Sequence, residues 1–344
     1  MRLALLDYAR FFAALSVVFF HYFYNGITNG KVTSIEKTWV ADAASYGHFG
    51  VQFFFIISGY VIFFSIKNKS ATSFMKSRLK RLYPTYWFAV LFTSFFAFMW
   101  AQGTDLAVTI KQVLINLTML HKFVGVPSVD GVYWTLVYEI VFYAIVFLTL
   151  LFGNLKKVLG FLIAWPLLII IANYFGKTFF IFDMYFLYFV IGAMFALLKN
   201  KGIKTSVALS VLALSVVAAY FQMYEAGIQK GNNILIVSGI YLAMLGFFTL
   251  LNIDKFRTIS LPRAQDLGGM TYPLYLIHAH FGYMFLNRFA TNENQTLVYA
   301  LLLIIVMSLS WILWYVIEVK QANFWHKFFS FAIKPVKKIE AKLN

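Results

Sequence analysis

Two side chains in the first apolar stretch, LALLDYARFFAALSVVFFHYFY (residues 3–24), are costly in hydrocarbon: Arg10 and His21. A charged group at mid-membrane costs about 2.5 to 3.5 kcal/mol on insertion scales, so such groups persist where they meet a partner, water or a substrate. Their types suggest chemistry. An imidazole titrates near neutral pH and can take a proton from a hydroxyl, whereas a guanidinium stays charged and holds anionic or polar atoms. Eleven residues of helix leave the two about 20° apart around the axis and about 16 Å apart along it. One helix face therefore presents a cation deep in the membrane and an imidazole nearer the far side. Asp7, one turn before Arg10 on that face, is placed to pair with it. Glu139 lies about two turns into another apolar stretch, which continues IVFYAIVFLTLLF, and an unpaired carboxylate there is expensive. His21 and Glu139 are the two ionisable groups best placed to meet, and an acid beside the imidazole would fix its tautomer and stabilise the imidazolium. Structural readings remain open on the residues alone: an ion pair for Asp7 and Arg10, a helix–helix hydrogen bond for Glu139, packing for His21.

The elements that must hold these groups are membrane helices. The chain has 344 residues, of which 61% are hydrophobic and only 12% charged, against about 25% charged in a soluble protein. Hydropathy predicts an all-α polytopic membrane protein with about ten transmembrane helices, near 3–24, 47–66, 83–101, 132–152, 158–175, 183–199, 205–222, 233–251, 268–288 and 297–317. The stretch Leu106 to Leu120 is too polar to span and reads as an amphipathic surface helix. Lys67 to Arg81 reads as a basic inner loop, with Pro84 opening the third span. With the N-terminus inside, Lys and Arg on inner segments outnumber those on outer loops about three to one, so both termini are expected in the cytoplasm. Most of the net charge of +16 is then topology and contact with membrane lipids, not nucleic-acid binding. Residues 1–318 form the expected transmembrane domain, and 319–344 a basic cytoplasmic or interfacial tail with Phe324, Trp325, Phe328 and Phe329 at the headgroups. Cys is absent, which excludes disulfides and acyl-cysteine chemistry. No metal-ligand spacing, phosphate-cradling glycine loop or Ser-His-Asp order is present.

Five blocks, in order, resemble those of the acyltransferase family 3 membrane proteins, which acylate surface carbohydrates in bacteria. Arg10 and His21 resemble its R-x10-H signature. GHFGVQFFFIISGY (residues 47–60) resembles its second-span motif, with Gln52 where the family usually has Asp. Arg78-Leu-Lys-Arg81 with Pro84, Tyr86 and Trp87 resembles its R-x-x-R-x-x-P-x-Y-W block. Trp134-Thr135-Leu136 with Glu139 resembles W-S/T-L-x-x-E, and Tyr272 to His278 resembles its late S-Y-x-x-Y-L-x-H motif.

The resemblance implies transfer of an acyl group, usually acetyl from acetyl-CoA as co-substrate, to a hydroxyl of a cell-surface or exported carbohydrate, such as a glycan or lipid-linked sugar, by a multi-pass protein of the bacterial cytoplasmic (inner) membrane. No metal is implied. His21 would act as general base or acyl carrier supported by Glu139, with Arg10 on the donor path. Asp7, Gln52, Ser58, Arg78, Arg81, Tyr133, Trp134 and His278 would bind donor or substrate, with Ser58, Tyr133 and Trp134 available as oxyanion donors. His121 and Asn116 could touch a glycan. Two other readings compete. A carbohydrate or lipid-precursor transporter or flippase would also need buried charges and a polar pore. A membrane acyltransferase of the unrelated kind that uses a late intramembrane histidine would depend on His278.

Overall fold

The computed structural model describes residues 3–66, 69–177 and 179–343. Arg2 and Lys67, part of the inner positive charge, lie outside them. Among the described residues there are helices and no strands. The membrane part comprises α1 (Ala4–Thr28), α2 (Ala41–Ser65), α3 (Ala71–Trp100) and, after the short connecting helix α4 (Ile110–Asn116), α5 (Gly131–Leu151) and α6 (Leu155–Tyr174). It continues with α7 (Phe186–Asn200), α8 (Thr205–Gln229), α9 (Ile234–Leu251), a broken pair α10 (Ala264–Ile277) and α11 (Ala279–Phe289), and α12 (Gln295–Lys320). The tail forms α13 (Ala322–Ala332) and α14 (Lys334–Leu343). Eight of these helices are long and apolar enough to cross a bilayer. The sixth and ninth expected spans are the exceptions: α7 is short, and the ninth is the broken pair.

Helix α7 can be short because it does not face lipid. Every residue from Phe186 to Leu197 is buried, as expected for a helix apolar on all sides. It lies against α2 more extensively than any other two helices pack. Glycine makes that approach possible: a Cβ at Gly192 would overlap the carbonyl oxygen of Ile56, and one at Gly59 would overlap that of Phe189. Small residues at such crossings let backbones touch without side chains between them. Helix α1 then packs on α2 and on α10, which fixes one side of the Arg10–His21 helix.

The third span begins earlier than expected. Ser70 caps α3, its side chain accepting from Ser73 N at 3.2 Å, and the Glu340 carboxylate accepts from Ala71 N at 2.7 Å and Thr72 N at 3.2 Å. These acceptors satisfy the free amides of a helix start. Lys76, Arg78, Lys80 and Arg81 are therefore helical residues rather than loop residues, and Pro84 lies inside α3 instead of opening it. The tail folds back onto the same helix, with the rings of Trp325 and Phe329 near Trp87 at 6.2 and 6.3 Å. The polar stretch after α3 holds only the seven-residue α4, started by a capping box between Thr109 and Gln112. Asn116 and His121 do not face outward: both are buried, with Asn116 bonded to Pro127 O and Val129 N, and His121 to Ser128.

The close approach of α2 and α7 sets a stability test. Gly192→Val is expected to cost about 3 kcal/mol or more through overpacking, lowering the Tm of the detergent-solubilised protein by about 6 °C or more. Gly239→Val, whose Cβ would meet open space, is the control and should shift Tm by less than about 2 °C. Equal behaviour of the two variants in a thermal-melt assay would refute the contact.

Candidate active site

Three cavities follow one another through the bundle and share walls. The first, about 330 Å³, lies near the face where α1 and α3 begin and is walled by Arg10, Arg78, Lys80, Arg81, Glu318 and Trp325. It shares Arg10, Val61, Arg78 and Arg81 with a narrower central cavity of about 120 Å³, which adds Ser58, Glu139, Tyr143 and Tyr272. The central cavity shares Val51 and Tyr275 with a third, about 340 Å³, near the opposite face. His21 lines that third cavity with Asn25, Lys31, His48, Gln52, Trp134, Lys230, His280 and Tyr283. A larger space of about 1120 Å³ lies on another side of α1, walled by residues such as Phe12, Phe19, Phe53 and Phe247; its described lining includes no charged side chain and no histidine.

Helix α1 reaches both ends of this path as its periodicity predicts, with one local departure. The turn Phe20–Asn25 is π-helical, a widening that occurs often at functional positions. It brings His21 and Asn25 together beside α11. His21 Nδ1 lies 2.5 Å from the Tyr283 hydroxyl, and Asn25 Nδ2 donates to that hydroxyl at 3.1 Å. Nε2 of His21 has no hydrogen-bond partner among the described residues, so one nitrogen is held and the other is available to a ligand.

Glu139 does not hold His21. Its carboxylate accepts from Tyr143 and, at 3.2 Å, from Ser58 Oγ, and it lines the central cavity with Arg10. The two residues share neither a hydrogen bond nor a cavity. Hydropathy gave Glu139 a depth, but the direction of its side chain around α5 is set by packing on α2 and α3. Ser58 goes with Glu139 and so stands away from the imidazole as an oxyanion donor. Asp7 is buried against Gly268 of α10 and is not among the residues that line the three cavities. Arg81 pairs with Glu318 of α12 and lies 5.5 Å from the Tyr272 ring. Arg78 stacks over Phe74 and Tyr143 at 5.9 and 5.6 Å and has no carboxylate partner among the described residues.

On the other side of the path, Trp134 and Gln52 line the His21 cavity, whereas Tyr133 is fully buried edge-on against Tyr86 and does not. Gln52 is buried, and its Oε1 has no hydrogen-bond partner. His278 occupies the break between α10 and α11. Its Nδ1 donates to the carbonyls of Tyr275 and Leu274 at 2.8 and 3.1 Å, and its ring lies 5.0 Å from that of His21. Sequence reasoning passed over Asn25, Lys31, Asp130 and Tyr283. Asn25 carried a readable signal, being four residues after His21 on the same face; Lys31, Asp130 and Tyr283 carried none.

Asp130 builds the far wall. It is fully buried and accepts from Val132 N at 3.1 Å and from His280 N at 2.9 Å, serving as the acceptor for the start of α11. His280 Nδ1 donates to Val129 O at 3.0 Å, leaving Nε2 to accept from Gly131 N and Lys31 Nζ, each at 3.1 Å. His280 is thus a fully bonded wall residue.

Comparison with curated proteins and with solved structures finds no match for this chain. The model of the acyltransferase 3 family, described as an acyltransferase domain, matches residues 3–315. That span takes in Arg10, the central cavity and the whole His21 cavity, and the chain is a membrane protein belonging to the acyltransferase 3 family.

Proposed function

We propose that this membrane acyltransferase moves an acetyl group from acetyl-CoA, on the cytoplasmic side of a bacterial inner membrane, to a hydroxyl of a carbohydrate on the other side. The observation that carries the reading is the line of cavities joining a basic mouth to a half-free imidazole. The excess of Lys and Arg on the segments facing that mouth supports a cytoplasmic position for both termini. Arg78, Arg81 and Lys80 offer cations to the phosphates of the donor nucleotide. The narrow central cavity suits a thin pantetheine arm better than a nucleotide, with Arg10 available to its amide oxygens. The thioester would reach the His21 cavity, and the acceptor would enter it from the opposite face.

In that cavity His21 Nε2 takes the proton of the acceptor hydroxyl as its oxygen attacks the thioester carbonyl. A C–O bond forms, and the tetrahedral oxyanion draws on the Lys31 ammonium and the Asn25 amide. Collapse breaks the C–S bond, and the thiolate leaves with the proton from the imidazolium. Tyr283 acts by fixing the ring.

Purified protein, labelled acetyl-CoA and candidate glycans test this. His21→Ala should lower transfer by at least about 100-fold. Tyr283→Phe should lower kcat about tenfold with little change in KM, the signature of lost positioning. Transfer that survives His21→Ala, or movement of sugar without thioester consumption, would refute the reading, the second in favour of transport. Loss of transfer in His278→Ala with His21→Ala active would instead support the late-histidine mechanism.

Arg78→Ala should raise the KM for acetyl-CoA about tenfold, about 1.4 kcal/mol, while leaving the KM for the acceptor unchanged. A matching rise for the acceptor would place Arg78 outside the donor route.

Sidedness has its own test, made simple by the absence of native cysteine. Lys342→Cys should react with a membrane-impermeant maleimide only after cells are opened, and Lys37→Cys in intact cells. The reverse pattern would invert the proposed direction of transfer.

A further inference from the structure

The wall of the His21 cavity has an unbalanced charge. Lys31 and Lys230 line it, with the imidazoles of His21, His48 and His280, and among the described residues no carboxylate does. The central cavity differs: there Glu139 faces the same space as Arg10, Arg78 and Arg81. Gln52 stands in the far wall as a neutral amide. Two carboxylates of the flanking segments are turned to other work. Asp130 gives its oxygens to two backbone amides, and Asp183 accepts from Tyr138 at 2.8 Å and Tyr185 N at 2.9 Å. Lys31 rests on a neutral imidazole nitrogen. The Lys230 ammonium lies 5.7 Å from the Phe20 ring and has no carboxylate partner among the described residues.

Two ammonium groups in one partly enclosed cavity repel each other, and their low-dielectric surroundings amplify the cost. An anion between them would repay it. The cavity also carries flat aromatic surface, Trp134 and Tyr185 with ring centroids 5.3 Å apart, and it opens at the face opposite the basic donor mouth. This combination of cations and aromatic rings suits an acidic sugar, the rings covering its apolar face and the lysines its charge.

We infer that the acceptor is a saccharide carrying a negative charge, a carboxylate or a phosphate, close to the hydroxyl that is acylated, and that Lys230 is the residue that selects for it. The inference rests on the proposed role of the His21 cavity as the acceptor site, and it adds the substrate class. Lys31, already fixed on His280, sets the position of the second cation.

Binding separates this inference from the transfer reaction. The full-length protein in detergent is titrated calorimetrically with three matched oligosaccharides: neutral hexose, uronate-bearing and phosphate-bearing. At least one acidic form should bind about tenfold or more tightly than the neutral one, and which one does identifies the anion. In Lys230→Gln the ratio of acidic to neutral affinity should fall about tenfold, and Lys230→Arg should restore most of it. The preference should also weaken as salt is raised. Equal binding of all three saccharides, or an acidic preference unchanged in Lys230→Gln, would overturn the inference, even if His21-dependent transfer to neutral sugars were found. An acidic preference that depends on Lys230, in a protein that never consumes acetyl-CoA, would uphold the charge selection and overturn the proposed transfer.

Discussion

The candidate site depends on how one helix break is kept satisfied inside the membrane. Non-helical backbone is tolerated at that depth only where protein supplies the missing hydrogen bonds. Between α10 and α11 the supply comes from three directions. The ring of His278 donates to the carbonyls of the preceding turn, Tyr22 donates to the His278 carbonyl at 2.9 Å, and Asp130 accepts from His280 N at 2.9 Å. Asp130 therefore binds the loop before α5 to the start of α11. Tyr283 stands one turn into α11, so its reach to His21 is set by where that helix starts. Lys31 is set the same way, through His280. Three of the groups around the imidazole thus owe their positions to one buried carboxylate on a neighbouring loop.

Charge along the cavity path is divided by location. Arg81 has Glu318, and Arg10 and Arg78 share their cavity with Glu139. Buried cations are stable only when compensated and hydrogen-bonded, and these two acids let three guanidiniums gather at one end of the path. Glu139 thus reads as a counter-charge for the arginines, held in place by Ser58 and Tyr143. Had it faced His21 instead, the described lining of the central cavity would hold three guanidiniums and no carboxylate.

Much of the frame was legible in the sequence, because hydropathy and helical periodicity act locally. The apolar segments stood out by length, and Arg10 and His21 were readable as partners on one face because both belong to one helix. What failed were relations between helices. Glu139 was given the wrong neighbour, since a sequence fixes neither the rotation of a helix nor its order around a bundle. Asp130 carried no local signal of its partners, and Tyr283 was one of 21 tyrosines. The start of α3 was missed although Ser70 is a local cap, because the acceptor for its first amides arrives from Glu340, far away in the chain. The buried short helix α7 was read as an ordinary span, because apolar sequence does not tell lipid contact from protein contact.

The support behind His21 bears on how it would work as a base. A carboxylate at Nδ1 would stabilise the imidazolium and raise the basicity of the ring; a phenol orients the ring without adding charge. A cation formed on His21 by proton transfer would therefore have no carboxylate at Nδ1 and would sit in a cavity already lined by Lys31 and Lys230. Such a step is favourable only if negative charge appears nearby at the same moment. The oxyanion of the tetrahedral intermediate supplies one such charge, and it grows as the imidazolium does. An anionic group on the acceptor supplies another, present from the time of binding. Among the described residues the cavity lining includes no carboxylate: Gln52 is neutral, and Asp130 lies outside the lining, turned to backbone amides. In the proposed reaction the balancing charge therefore comes with the reactants, which would keep the base weak until acceptor and thioester are both in place.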